Sequence, residues 1–489
     1  MPEALLWAPR AWLHGAPGSG QARPASRGDA GTLAEPHAPE PGWHDAVLLR
    51  AAADGHWSEV TAGVATPPPG ATVLDGPALP GLVNAHGHAF QRAFAGLAER
   101  RDAGHDDFWG WRDRMYRVAL RVTAEQLGAI AAHLYIELLR GGYTQACEFH
   151  YLHRREDGTP YDDPLALAST LADAAGDAGV GLTVLPVLYE RAGFAQPALR
   201  SDQRRFAASA EAVWAMQREL NATARPLVNA GVAIHSLRAA APASIARLGE
   251  LAADLEAPIH IHVAEQKQEV DDCLQATGVR PIEWLVRECS IDARWQLVHA
   301  THATPAEIDA VAECGAGVVL CPSTEANLGD GFTDVPRWLA SRVPLALGSD
   351  SHVTRAWREE LRLLEYGQRL ARRERNVGAA PALGLPSTAE RLWSRISGSR
   401  GGAAAGFDRW GLVVGARADL LVVDVADHAL VGVPPSHQLD ALVFSSPGRP
   451  WRDVMVGGRF VVRAHRHAAA ARCAARFERA MHALWSDAR

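Results

Sequence analysis

Lysine is almost missing from this chain: of its 49 lysine and arginine residues, Lys267 alone is lysine. Any task that needs a lysine side chain must fall to that position. The predominance of arginine fits a GC-rich genome. Cysteine is sparse as well. The six present (Cys147, Cys273, Cys289, Cys314, Cys321 and Cys473) form no Cys-x-x-Cys pair and no regular framework. That argues against a disulfide scaffold and for a reduced, cytoplasmic protein. Clusters of basic residues are absent and the formal net charge is −7, which disfavours nucleic acid as a partner. No apolar stretch approaches the ~20 residues of a membrane span. The N-terminus carries Glu3 and lacks a basic segment followed by an apolar core, so no signal peptide is expected.

What the chain does have is length and apolar content. With 489 residues, 48% of them hydrophobic, it can build one large domain or two. Residues 14–42 are rich in Gly, Pro, Ala and Ser, and are expected to form a long exposed loop. On either side, ALLWAPRAWL and DAVLLRAA read as strands, as do WSEV and ATVLDG. From Pro80 the texture changes. Eight apolar runs recur between helical stretches: LPGLVNAHGH, YTQACEFHYL, GLTVLPVLYE, AGVAIHSLRA, PIHIHVAEQ, WQLVHATHA, GAGVVLCPST and VPLALGSDS. Thr123 and Gln126 make a capping box, and Gly141-Gly142 closes the helix they begin. Thr304, Pro305 and Glu307 start another that closes near Gly315. This alternation predicts an α/β fold with a (β/α)8 barrel over residues 80–405. A doubly wound open sheet is the alternative. The barrel is preferred because polar residues mark the C-terminal ends of nearly all the strands, where barrel sites lie. After about Gly406 strand texture returns in LVVGARADLLVVDV, LDALVFSS and VMVGGRFVV. These segments are expected to pair with residues 1–79 in a small β-sandwich built from both termini. Ala468 to Trp485 reads as a terminal helix.

The polar residues at the strand ends carry the chemistry. His86 and His88 close the first barrel run. Side chains alternate along a strand, so both imidazoles point the same way. His262, at the tip of the fifth run, is the candidate third ligand, with His260 on the same face but deeper. Glu265 follows by three residues and is a candidate general acid/base. His299 ends the sixth run and Asp350 the eighth. Taken singly, each reads as a hydrogen-bonded core histidine or a helix-capping aspartate. Taken together, they form one series of metal-competent and acid/base groups at four strand ends. His86, His88, His262 and Asp350 would hold one divalent ion per chain, zinc by preference, with a position left for water. Glu265, His299 and Asp350 are the candidate catalytic residues. This is the chemistry of hydrolysis at an sp2 carbon.

In NAHGH, HVAE, LVHA and GSDS, in that order, the chain resembles the amidohydrolase superfamily. Binuclear members bridge two metals with a carboxylated lysine at the end of the fourth strand. AIHSLRA has none there, so the resemblance implies the mononuclear, deaminase-type arrangement. Within that branch NAHGHAFQRAFAGL, FWGWRDRMY, CEFHYLH, AIHSLRA, HVAEQ and LCPSTEANLGDG resemble the formimidoylglutamate deiminases of bacterial histidine degradation. The resemblance implies N-formimino-L-glutamate as the small-molecule substrate and a homodimer. A dicarboxylate substrate calls for guanidinium groups. Arg238, and Arg112 in a Trp109–Trp111 loop, are the candidates. Gln91, Tyr151 and His235 are candidate polar contacts. Trp109 and Trp111 read as loop core, and Cys147 and Cys321 as buried apolar filler. An aminohydrolase of a purine- or pyrimidine-type ring, and a silent scaffold of the same fold, are the rival readings.

Overall fold

The computed structural model describes residues 3–15, 42–100, 108–254 and 256–486. Most of the segment expected as a loop, residues 16–41, and the side chain of Trp109 lie outside the described residues.

Before the barrel come β1 (Ala4–Leu13), β2 (Gly42–Ala51), β3 (Trp57–Thr61), β4 (Thr72–Val73) and β5 (Ala78–Pro80). Strand β1 pairs antiparallel with β2 in a register that sets Leu13 opposite Gly42. Gly42, expected as the end of the loop, is therefore the first residue of a strand.

The barrel follows with β6 (Leu82–Gly87), β7 (Tyr143–His150), β8 (Gly181–Leu188), β9 (Val228–Ala230), β10 (Val232–Ser236), β11 (Ile259–Val263), β12 (Trp295–His299), β13 (Gly317–Leu320) and β14 (Leu345–Leu347). Each of the eight apolar runs supplies one barrel strand, and β9 is a short addition beside β8. The sheet order is β10-β11-β12-β13-β14-β6-β7-β8, all parallel, and a β10–β8 pairing closes the ring. Strands β6, β7 and β8 are buried at every position. A strand covered on both faces needs apolar residues throughout, which is why these segments read as continuous rather than alternating runs.

Two helices matter for the site: α1 (Phe108–Ala119) and α2 (Ala124–Gly141). The Thr123–Gln126 capping box starts α2, and Gly142 ends it at φ 95°. A Cβ at Gly142 would also lie 2.4 Å from the Trp357 indole nitrogen, so the cap and the close approach both require glycine. The helix Pro305–Cys314 has its capping box at Thr304 and Glu307 and closes at Gly315. No described helix is long and apolar enough to cross a membrane.

The last strands are β15 (Leu420–Val423), β16 (Trp451–Val456), β17 (Arg459–Arg463) and β18 (Arg466–His467). They join the N-terminal strands in one sheet, ordered β18-β17-β16-β15-β5-β1-β2-β3, with β4 on β1. The seam is β15 against β5, Leu421 opposite Leu79. This sheet has its own core, in which Leu6, Leu13, Leu49 and Trp57 meet Leu420, Val422 and Met455. LDALVFSS, expected as a strand, is instead the helix Gln438–Phe444. Its buried Leu439, Leu442 and Val443 have helical spacing. LVVGARADLLVVDV yields a strand only over Leu420–Val423. The terminal helix spans Ala470–Trp485.

Candidate metal centre and active-site chamber

The strand ends bring His86, His88, His262, His299 and Asp350 to one point at the C-terminal mouth of the barrel. Asp350 lies three residues past β14, yet it is stitched to β6. Its N–H donates to the His86 carbonyl at 3.0 Å, and its own carbonyl accepts from the His88 N–H at 3.2 Å. This turn runs through the left-handed region, with φ 44° at Asp350. Gly348, two residues earlier, leaves no room for a side chain: a Cβ there would lie 2.7 Å from the His86 Cβ and 2.9 Å from the Cys321 sulfur.

The donor atoms face one another. His86 Nε2 and His262 Nε2 are 3.0 Å apart. Asp350 Oδ1 is 3.3 Å from His86 Nε2 and 3.2 Å from His88 Nε2. His88 Nδ1 sits 2.9 Å from the Phe149 carbonyl and His262 Nδ1 2.9 Å from the His235 carbonyl. A carbonyl only accepts, so each Nδ1 carries the hydrogen and each Nε2 presents a bare lone pair. Burial pushes the His86 pKa down to about 3, against the pull of Asp350. Burial and the neighbouring imidazoles hold His262 well below its ordinary value. Burial works to raise the Asp350 pKa, but His86 and His88 outweigh it and keep the group well below the usual carboxylate range. The donor atoms of His86, His262 and His299, and those of His86, His88 and Asp350, lie within 4.8 Å of one another in each set, and imidazoles gathered around an ionised carboxylate fit a divalent metal ion. His260 is apart from this cluster; its Nε2 donates to the Ala404 carbonyl at 2.8 Å.

Glu265 and His299 stand beside the cluster. Glu265 Oε1 is 3.7 Å from His299 Nε2, which is 3.9 Å from Asp350 Oδ2. Burial raises the Glu265 pKa, as does Asp350, while His299 opposes. Burial tends to discharge His299, but Glu265 with Cys321 and Glu325 overcomes it and lifts the pKa well above its ordinary value. Backbone φ values of 52° at Ala264 and 72° at His299 aim these side chains, the kind of local strain that collects at functional sites. Two carboxylates that sequence reasoning passed over support them. Glu269 accepts from the N–H groups of Ala264 and Glu265, both at 3.2 Å. Glu325 accepts from the Cys321 N–H at 3.0 Å and lies 3.5 Å from His299 Nδ1. The available signals were the i+4 spacing of Glu269 from Glu265 and the place of Glu325 within LCPSTEANLGDG. Cys147 is buried as expected and donates to the Ala404 carbonyl at 3.4 Å. Cys321 is buried too, but it is more than filler, because it packs against His299 and Asp350.

The cluster forms one end of a chamber that opens at the barrel mouth. Gln91, Arg112, Tyr151, His235 and Arg238 all line it. Gln91 Nε2 donates to the Tyr151 hydroxyl at 3.1 Å. The Tyr151 ring stands edge-on to His88, and His235 packs 5.1 Å from His262. Arg112 lies on α1, not in the loop that its sequence suggested. Phe108, Trp111, Arg112, Met115 and Tyr116 share the α1 face that roofs the chamber, at the i, i+3, i+4, i+7 spacing of one helix side. Trp111, expected as loop core, thus faces the chamber as well as packing on Phe94 and Phe108. Lys267 is exposed at the start of the helix Lys267–Thr277 and takes no part in the cluster.

This geometry agrees with what the chain is similar to. Residues 78–461 match the model of the amidohydrolase family. The chain belongs to that family. Among amidohydrolases it is 45% identical over 443 residues to the formimidoylglutamate deiminase of Pseudomonas aeruginosa, covering 89% of this chain and 95% of the relative. A crystal structure of an amidohydrolase from Brucella melitensis superposes with a TM-score of 0.87 at 37% identity, covering 98% of this chain and 99% of that one. An adenosine deaminase from Xanthomonas campestris with bound zinc shares the fold at 22% identity and a TM-score of 0.76, covering 99% of this chain and 98% of its own.

Proposed function

We propose that this amidohydrolase converts N-formimino-L-glutamate and water to N-formyl-L-glutamate and ammonia. One observation carries the reading: the cluster of His86, His88, His262 and Asp350 adjoins a chamber that also holds two arginines. The 45%-identical relative acts as a formimidoylglutamate deiminase, which supports it. The cluster suits one zinc ion per chain, held by His86, His88, His262 and Asp350, and the exposed Lys267 offers no bridge for a second. The ion would supply Lewis acidity, activating a water for attack on the formimino carbon.

The rest falls to the chain's own residues. Asp350 accepts the proton of the attacking water. His299 holds the oxygen that becomes the formyl carbonyl. Glu265 delivers a proton to the imino nitrogen as the C–O bond forms. The proton taken up by Asp350 then passes to the same nitrogen as the C–N bond breaks and ammonia leaves. The hydroxyl proton lost as the formyl C=O forms returns to Glu265. Its raised pKa suits a group that must be protonated at that moment. Arg112 and Arg238 orient the two carboxylates, and Gln91, Tyr151 and His235 contribute polar contacts. A ring aminohydrolase would use the same cluster, but a neutral heterocycle has no use for two chamber arginines. An ammonia-release assay on formiminoglutamate, guanine, cytosine and adenosine decides between them, with elemental analysis expected to give close to one metal equivalent. Preference for a heterocycle, or two equivalents in the barrel, would overturn the respective part.

A further inference from the structure

The chamber wall away from the metal cluster holds two phenols that the reading above does not use. Tyr116 on α1 and Tyr189 just past β8 line it together with Arg112 and Arg238. Behind them is Gln203, buried in the short helix Ser201–Phe206. The orientation of its amide is fixed from outside the chamber. The backbone N–H of Arg200 donates to Gln203 Oε1 at 3.0 Å. An amide oxygen accepts and an amide nitrogen donates, so Nε2 must face the phenols. It donates to the Tyr116 oxygen at 3.3 Å and to the Tyr189 oxygen at 3.0 Å.

Both amide hydrogens are thereby used, and both phenol oxygens are acceptors toward Gln203. Their own hydrogens must point elsewhere. The two oxygens are 3.4 Å apart, so one phenol can donate weakly to the other. The remaining hydrogen needs an acceptor, and the nearby guanidinium groups have none to offer. The rings are held in place: Phe206 packs at 5.3 Å on Tyr116 and 5.4 Å on Tyr189, and Tyr189 stands edge-on to His235 at 4.4 Å. Burial, reinforced by Tyr116, keeps the Tyr189 phenol protonated far above the usual range.

We propose that Tyr116 and Tyr189 are specificity residues that donate to a substrate carboxylate beside Arg112 and Arg238. Gln203 is the positioning residue that sets the direction of their hydrogens. The inference rests on the dicarboxylate reading of the chamber. A carboxylate is the complement such a wall requires, because it only accepts and offers several lone pairs.

The test compares kcat/KM for N-formimino-L-glutamate with that for two monocarboxylate analogues, each lacking one of the two carboxylates, on metal-replete enzyme. Tyr116→Phe and Tyr189→Phe should each lower the preference for the dicarboxylate over one analogue by about 10- to 100-fold, the worth of a hydrogen bond to a charged group. The loss should appear mainly in KM. Gln203→Leu should lower the same preference, and adding it to the double phenylalanine variant should change that preference less than about twofold, since the two act as one unit. A Gln203→Leu variant that loses activity equally on all three substrates is only structurally impaired, and the positioning role is then wrong. Should that variant fail to fold, the tyrosine variants decide, because an intact preference in both overturns the inference. A wild type that ignores formiminoglutamate removes the functional reading and this inference together. A wild type active on it, with the preference unmoved in the variants, removes the inference alone.

Discussion

At the scale of single residues, the ligand-type side chains were legible because strand parity and strand ends are sequence features. His86 and His88 announce themselves by spacing, and His262 by following an apolar run. The supporting carboxylates Glu269 and Glu325 were marked only by weak local signals, since each acts through backbone N–H groups four or five residues away, a contact that no residue type announces. Tyr116, Tyr189 and Gln203 were not legible, because they meet across three separate segments. Two expectations belong to this scale. Glu265→Gln keeps the shape and the contact with the cluster but cannot carry a proton, so metal content should stay normal while kcat falls at least ~10^2-fold. Near-normal turnover in that variant would take Glu265 out of the reaction. Arg238→Met retains much of the volume but leaves a substrate carboxylate without its partner in a largely desolvated chamber. Breaking such a pair costs roughly 3–5 kcal/mol, which predicts a fall in kcat/KM of about 10^2- to 10^3-fold or more. Arg238→Lys should recover only part, because an ammonium cannot reproduce a planar fork. Full recovery by lysine would mean that Arg238 serves as a simple point charge.

At the scale of elements, the barrel strands could be read because full burial forces a continuous apolar run, and helix starts because capping boxes are local. LDALVFSS misled because a short run rich in Val, Leu and Phe has strand composition, while its three buried positions follow a helical period. The α1 roof was misread as a loop for a related reason. Phe108, Trp111, Met115 and Tyr116 keep helical spacing, and the last three pack on the core as well as the chamber, but Gly110 in the first turn weakens the signal at the start of FWGWRDRMY. The hairpin β1–β2 yields an expectation of its own. Its register sets Leu13 beside Gly42, so the strand ends are already adjacent and a short turn can join them. Replacing residues 16–41 with a short Gly/Ser joint should leave kcat/KM within a few-fold, because loop-closure entropy varies only slowly with length. A folded, metal-replete deletion variant with a large loss of activity would show that the segment takes part in the site.

Across the whole molecule, the barrel and the terminal sheet are coupled by buried charge. Arg417 donates to both carboxylate oxygens of Asp419 at 3.0 and 2.6 Å and reaches the β7 residue Gln145 at 2.7 Å. Sequence could not reveal this link, because its partners lie some 270 positions apart. A second buried ionisable group, Glu360, contributes to how stability responds to pH. Glu360, in the helix Trp357–Arg372, is fully buried and accepts from the Ser323 N–H at 2.8 Å and the Ser323 hydroxyl at 2.6 Å. Burial raises its pKa to about 8 from an ordinary 4.5, with Ser323 opposing and Glu325 and Glu359 adding to the rise. Between those two values the folded chain binds more protons at this position than the unfolded chain does. The contribution of Glu360 is therefore complete below about pH 4.5 and declines as pH rises through the window to about 8, by at most ~1.4 kcal/mol per pH unit. Glu360→Gln is the matching neutral group. Its amide oxygen can still accept from the Ser323 N–H, and the serine hydroxyl can turn to accept from the new amide. The variant should match wild type near pH 5 and gain on it steadily up to pH 8, measured as the difference in Tm between the two proteins at each pH. A Tm difference that stays constant across that range would mean that Glu360 is already ionised in the folded protein and that Ser323 alone meets the cost of its burial.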